Sequence, residues 1–470
     1  MRRILIILNA IIVLNISEAP AQFSYFVVRE FNVTGNTKTE LSVIMRESTL
    51  NVNDTLTLLQ INKLLEEFRD NLIKTSLFNF VNIDHTFDSV YVDIQVKVEE
   101  RWYFWPYPIL EHAERNLSTF IHNHDFNKIN YGVAADIYNI NGTNAMVKLK
   151  ARFGYKEHFL LAFHKIGLGQ KKNSSVKIQV ELFRQKATEY DVANNIPLYV
   201  SNEDVYISHC FLSGINYSYR PELNYVFNFG MKYKYSVYKD SLFFADFLNS
   251  GNELRTSYFN PYFNFSFDSR NNKLYPVKGV LMDLYYGENR SLSSETGSYT
   301  TLGINVQYNK QIIKSVFSIR SELSYFYLKD YGQKPVLFKD ILEFSRNFWI
   351  RGYELYYLIG QQSFGYQNTI GVKISDFKIH RLASFLPDKI SKTYSRIYFD
   401  FFFDICYVQS WNDEFAKLNP MNDKLLFSTG MAINLETYYD RLLSIYVAYL
   451  GYSSKTGIFV NYKTPLYKLF

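Results

Sequence analysis

The chain has 470 residues, with 51 Lys or Arg against 45 Asp or Glu and a formal charge of +6. That balance, without any block of like charges, excludes a nucleic-acid footprint. Two cysteines, Cys210 and Cys406, are too few for the disulfide scaffold of an exported chain this size. The 40 Tyr, 40 Phe and 4 Trp far exceed what a soluble enzyme usually carries.

The first residues, "MRRILIILNAIIVLNISEAPAQ", place Arg2 and Arg3 before an apolar stretch too short to span a bilayer comfortably, then Ala19-Pro20-Ala21. This layout predicts a signal peptide over 1–21, cleaved after Ala21. No cysteine follows the apolar stretch, which excludes a lipid anchor there. After it comes no apolar run long enough for a transmembrane helix.

From Phe23 to Glu100 the pattern is mixed. "YFVVREFNVTG" alternates as a strand. "LSVIMRESTL" and "LTLLQINKLLEEFRDNLIKTS" carry helical spacing, with Leu58, Ile61, Leu64, Leu65 and Phe68 on one face. "FNFVNIDHTFDSVYVDIQVKVEE" returns to period two, with a turn around His85 to Ser89. The order β-α-α-β-β predicts a small α+β domain over 23–100.

Beyond Arg101 the helical period largely disappears. "LNYVFNFGMKYKYSVY" predicts a strand from Leu223 to Val237, with Tyr225, Phe227, Phe229 and Met231 on one face and Asn228, Lys232 and Lys234 on the other. "FSIRSELSYFY" and "LGINVQYNK" repeat the alternation. Such segments exceed the usual soluble strand of about 5–6 residues. They fit the roughly 9–11 residues of a tilted membrane strand. Aromatic-rich outer faces and polar inner ones predict a mainly β chain whose region 101–470 is an antiparallel transmembrane barrel. About 16 strands would leave roughly 23 residues per strand and connection, although fourteen or eighteen fit nearly as well. Long connections are expected at Gln185–Asp204, Lys239–Glu253, Glu288–Gly297 and Lys329–Gly360, and a short interfacial helix in "HRLASFLPDKISKT".

Four ordered motifs resemble one family. "FNVTGNTKTELSVIMRE" with "NLIKTSLFNFVNI" looks like a POTRA (polypeptide-transport-associated) domain, matched by Phe31, Val33, Gly35, Asn36, Lys38 and Thr39. "YNINGTN" resembles a turn near the barrel start. "FDSRNNKLYPVKG" is similar to the D-x-R-x-N…P-x-x-G signature of BamA/TamA-type outer-membrane assembly barrels, through Asp268, Arg270, Asn272, Pro276 and Gly279. "IRGY", Ile350 to Tyr353, resembles the tip of that family's sixth outer loop. The resemblance implies that this loop, around 329–360, folds into the lumen. There Arg351 would pair with an aspartate supplied by "FFDIC", namely Asp404, where Cys406 replaces the family's glycine. Gly352 would allow the turn and Tyr353 would pack on the wall.

Pro106 and Pro108 lie in the expected first barrel strand and Pro465 in the last, which ends at Phe470. Proline lacks the ladder donor and is tolerated mainly at sheet edges, so these residues predict a weakly bonded seam. Prolines that merely flank the paired residues would read the same. A terminal aromatic such as Phe470 resembles an insertion signal of outer-membrane strands.

No G-x-S-x-G, H-E-x-x-H or Walker pattern is present. The eight histidines, His122 and His124 among them, form no ligand set. No enzyme activity, cofactor or metal is expected. The resemblance implies a Gram-negative outer-membrane location with the POTRA domain in the periplasm. It implies as partners the lipid bilayer, unfolded outer-membrane protein clients, and periplasmic chaperones or accessory lipoproteins. Its leading function is assisting barrel-protein insertion. The alternatives are a secretion conduit through the lumen and a passive channel or surface scaffold.

Overall fold

A computed structural model describes residues 25–112, 128–169, 172–202, 204–239, 253–313, 316–331, 350–378, 394–437 and 441–463. The signal peptide, the "HRLASFLPDKISKT" segment, most of 329–360, Pro465 and Phe470 lie outside them.

The N-terminal unit holds β1 (Tyr25–Thr34), α1 (Leu41–Met45), β2 (Thr55–Thr57), α2 (Leu58–Lys74), β3 (Phe78–Asp88) and β4 (Tyr91–Glu100). Helix α2 starts with a reciprocal cap: the Gln60 amide donates to Thr57 Oγ1, and Thr57 N donates to Gln60 Oε1 at 2.9 Å. Its face of Ile61, Leu65, Phe68 and Leu72 is buried against Val28, Ile94 and Val96 of the sheet, whose order is β2-β1-β4-β3. Leu58, the first residue of α2, is exposed, and burial on this face starts at Ile61. The expected turn at His85–Ser89 falls later. β3 continues to Asp88, held by the Phe87 ring 4.3 Å from Phe26, and Ser89 takes the positive φ.

The barrel is a 16-stranded antiparallel sheet. Its first strands are β5 (Phe104–His112), β6 (Ile129–Ile140), β7 (Ala145–Gly154), β8 (Lys156–Leu168) and β9 (Ser174–Gln185). The next are β12 (Ser208–Tyr219), β13 (Tyr225–Lys239), β14 (Glu253–Asp268), β15 (Gly279–Ser291), β16 (Tyr299–Ile313) and β17 (Phe317–Asp330). The last are β18 (Gln362–Lys378), β19 (Tyr394–Gln409), β20 (Leu425–Thr437), β21 (Arg441–Leu450) and β22 (Lys455–Lys463). A band of apolar side chains including Leu161, Ile178, Phe229, Phe401, Ile433 and Ile458 is exposed on the outer face. Their strand neighbours face inward. That division is the barrel's own solvent pattern, apolar to lipid and polar to the lumen.

Three expectations about connections change. Leu223 stays in the turn before β13, its carbonyl accepting from Arg220 Nε at 2.9 Å. β15 runs on to Ser291, into the expected 288–297 loop. The segment 185–204 is a hairpin, β10 (Ala187–Ala193) with β11 (Ile196–Ser201). Its signal is Asn194-Asn195, both at positive φ (55° and 58°), the backbone of a tight hairpin turn.

Candidate functional site

Residues 350–361 turn inward from the far end of the barrel, the end away from the N-terminal unit. Arg351 Nε donates to Asp404 Oδ2 at 2.7 Å and Nη2 to Oδ1 at 2.5 Å, a two-pronged pair. Nη1 donates to Thr369 Oγ1 at 2.9 Å, and the guanidinium lies 4.2 Å over the Phe402 ring. Asp404 is fully buried, so this arginine supplies the charge that its site requires. Gly352 has φ +93°, and a Cβ there would approach Ala448 Cβ to 3.0 Å. Tyr353 is buried and donates from its hydroxyl to Phe427 O at 3.1 Å. Cys406, also buried, joins Ile350 and Tyr353 in one apolar cluster. Glu354 accepts from Gly352 N at 2.9 Å and from the Tyr446 hydroxyl.

A second inward loop, 269–278, enters from the near end. Arg270 grips Asp268 with two 2.9 Å bonds and reaches Gln307 at 2.8 Å. Asn272 caps the backbone of Leu274 and Tyr275 and donates to Glu436 at 2.6 Å. Gly279 sits at φ +99°, where a Cβ would strike Ser269 O at 2.3 Å. The purpose of this geometry is to place Tyr275. Its hydroxyl donates to Asp400 Oδ1 at 2.6 Å, its ring stacks on Tyr398 at 3.7 Å, and Arg320 lies 3.7 Å above it while pairing with Asp400. Pro276 and Tyr275 line a cavity of about 110 Å³ whose other wall includes Arg351, so the two loops approach from opposite ends. Tyr275, Arg320, Asp400 and Glu436 escaped the sequence reading. For Arg320, Asp400 and Glu436 the signal was a polar residue at an inward strand position, and Tyr275 lay unmarked in its loop.

The β10–β11 hairpin starts between β9 and β12, half-way round the sixteen strands from the β19–β20 connection. Its tip nevertheless bonds that connection, so it spans the far mouth as a crossbar. Asn194 N donates to Leu418 O at 2.7 Å, Asn195 N to Asn419 Oδ1 at 2.9 Å, and Asn195 Nδ2 to Asn422 Oδ1 at 3.0 Å. Asn195 O in turn accepts from Tyr357 N of the inward loop at 2.7 Å. Asn195 is completely buried.

Residues 139–442 match the Omp85 superfamily domain. The chain belongs to the Omp85 superfamily. Residues 26–101 match a POTRA model described as surface antigen variable number repeat. Among solved structures, BamA from Haemophilus ducreyi lacking POTRA domains 1–3 is 13% identical with a TM-score of 0.53, covering 93% of this chain and 84% of that one. CdiB from Escherichia coli is 9% identical with a TM-score of 0.47, covering 95% and 91%. CdiB from Acinetobacter baumannii is 10% identical with a TM-score of 0.46, covering 93% and 73%. At such identities the likeness is one of fold. No curated protein matches the chain.

In this Omp85 chain the POTRA unit is fastened to the near-end turns of the barrel. Arg220 donates to both oxygens of Glu47 at 2.9 Å, Lys278 lies 3.4 Å from Asp70, and Glu40 N donates to Gly142 O at 3.0 Å. Burial alone would raise Glu47, but Arg220 and Arg46 outweigh it and hold the carboxyl below its ordinary value. The POTRA motif positions the turn behind this contact. Gly35 has φ +88° and touches Val98 O, Asn36 donates to Thr39 O at 3.1 Å, and Phe31 and Val33 pack on the domain core.

The seam has a direction that the register reveals. Tyr138 N of β6 donates to Tyr103 O at 2.8 Å, and Phe104 faces Ile137. In an antiparallel ladder each residue aims both backbone groups to one side and its neighbour aims them to the other. Tyr103, Trp105, Tyr107 and Ile109 therefore bond β6, while Phe104, Pro106, Pro108 and Leu110 address the opposite edge. Two of those four lack an N–H. Among the described residues, no ladder joins β5 to β22.

Proposed function

We propose that this protein assists the insertion and folding of β-barrel proteins in the bacterial outer membrane, parting at the β5/β22 seam to offer a templating edge. Residues 1–21 are then a signal peptide, 23–100 a periplasmic POTRA domain and 101–470 the barrel. The donor-poor edge of β5 carries the reading. An edge that lacks two of its four donors makes few bonds to a closing strand, and an incoming strand can replace that strand at small cost. β3, an 11-residue strand bonded only to β4 among the described residues, gives the POTRA unit a second edge for extended clients. Arg351 and Asp404 keep the inward loop docked and the wall in register, with Gly352 and Tyr353 shaping its tip. Asp268, Arg270, Asn272, Pro276 and Gly279 shape the opposite loop.

The conduit alternative requires a polypeptide-wide lumen. The two inward loops and the crossbar speak against it. Depleting the protein and following the outer-membrane proteome separates the readings. Broad loss of barrel proteins supports the insertase, loss of one exported partner supports a conduit, and neither supports a passive channel or scaffold.

A further inference from the structure

The sheet order fixes the direction in which the crossbar pulls. Its root lies between β9 and β12, the fifth and sixth strands counted from the β5 side of the seam. Its tip is held between β19 and β20, with β20, β21 and β22 separating that anchor from the other side. Root and anchor therefore stand on opposite sides of any hinge between β12 and β19. When the wall bends at such a hinge to part β5 from β22, the two ends of the crossbar move apart. A gap of one strand spacing, about 4.8 Å, lengthens the span by roughly 2 Å when the hinge lies opposite the seam. The bonds at the tip, at 2.7–3.0 Å, do not stretch that far.

The tip is held by a closed polar node. Asn195 and Asn419 are completely buried, and Asn422 is nearly so. Asn195 Nδ2 donates to Asn422 Oδ1 and its Oδ1 accepts from Met421 N, both at 3.0 Å. Asn419 Oδ1 accepts from Asn195 N at 2.9 Å. The carbonyls of Val192, Tyr357 and Ile359 accept from Asn419, Asn195 and Asn422 in turn, and these three residues belong to one buried apolar cluster. A buried network whose members are all bonded holds one arrangement, and partial rupture leaves bare polar groups in a dry place. The node therefore gives way as a unit, not by degrees.

We infer that the β10–β11 crossbar is a latch on the seam: β5 and β22 separate after the node of Asn195, Asn419 and Asn422 has opened. The latch rests on the seam parting proposed above and adds the step that controls it.

Asn194 is exposed and its N donates to Leu418 O at 2.7 Å, which puts the two segments within reach of a disulfide. Asn194→Cys is combined with a cysteine scan over 416–418 in the full chain, with Cys210 and Cys406 replaced by alanine. The oxidised crossbar is expected to stop insertion of a urea-unfolded outer-membrane barrel into vesicles, and reductant to restore it. In a second protein, spin labels at Leu110 of β5 and Ile458 of β22, both exposed, report the gap. Asn195→Ala with Asn419→Ala is expected to shift that distance to longer values. Asn195→Ala alone serves should the pair lose the heat-modifiable gel band of a folded barrel. Insertion by the oxidised crossbar at the rate of its reduced form, or a distance that the folded variants leave unmoved, overturns the latch. A disulfide across the seam itself separates the two readings. If it blocks insertion and the crossbar disulfide does not, the latch alone fails; if neither blocks, seam parting fails with it.

Discussion

Arg351 and Asp404 lie 53 positions apart in sequence, yet they share two side-chain hydrogen bonds at the centre of the barrel wall. The carboxylate is fully buried, while the guanidinium is 14% exposed. Removing the arginine leaves a buried carboxylate without its charge partner. Arg351→Ala is expected to cost roughly 3–5 kcal/mol of barrel stability, read as a lower unfolding midpoint on urea titration of the heat-modifiable band. An unchanged midpoint would mean that the pair anchors nothing.

Asp400 collects Tyr275, Arg320 and Asn434. Tyr275→Phe deletes one of several bonds and is expected to cost about 1 kcal/mol. Asp400→Ala leaves Arg320 without its carboxylate and is expected to cost roughly 3–5 kcal/mol. Equal effects for the two variants, by the same titration, would contradict the hub.

POTRA docking depends on pH through Glu47. Undocked, its carboxyl titrates near the ordinary 4.5; docked against Arg220 it titrates lower. The docked state therefore binds fewer protons, and acid favours release. The contribution of this pair is full above about 4.5 and is lost as pH falls through the docked value. Spin labels on α2 and on the 220–224 turn should separate progressively on acidification, and Glu47→Gln should weaken that pH dependence, leaving the share of Glu40, which Ser42 and Lys172 also hold below its ordinary value. A wild-type distance constant down to the lowest pH at which the barrel stays folded counts against the pair as a tether.

One side chain adds to the backbone bonds that hold the crossbar. The Asn195 amide donates to Asn422 Oδ1 and accepts from Met421 N, bonds that alanine loses while keeping the backbone N–H to Asn419 Oδ1. Asn195→Ala is expected to open the far mouth, seen as faster protease cleavage within 187–201 on intact cells and a larger bilayer conductance. Identical cleavage and conductance would show the tip to be held without the Asn195 side chain.

Barrel alternation was legible because period two is imposed by the pleat itself, as in Phe229, Met231 and Tyr233 facing out beside Lys232 and Lys234. The pairing of Arg351 with Asp404 was reached through the family resemblance, since nothing in linear order connects β19 to a loop before β18. Tyr275, Asp400 and Arg320 could not be read. Each is an unremarkable polar or aromatic residue until the inward loop brings them together. The crossbar was hidden for a similar reason. Asn194-Asn195 announces a hairpin turn, but where its tip lands depends on curvature of the whole sheet.

The most direct test of the account is a disulfide across the seam. Cysteine at Leu110 of β5 is combined with a scan along 456–460 of β22, with Cys210 and Cys406 replaced by alanine, and insertion of barrel clients into vesicles is measured before and after reduction. The account predicts that the oxidised, cross-linked protein fails to insert clients and that reductant restores insertion. Full insertion by the cross-linked barrel would contradict it.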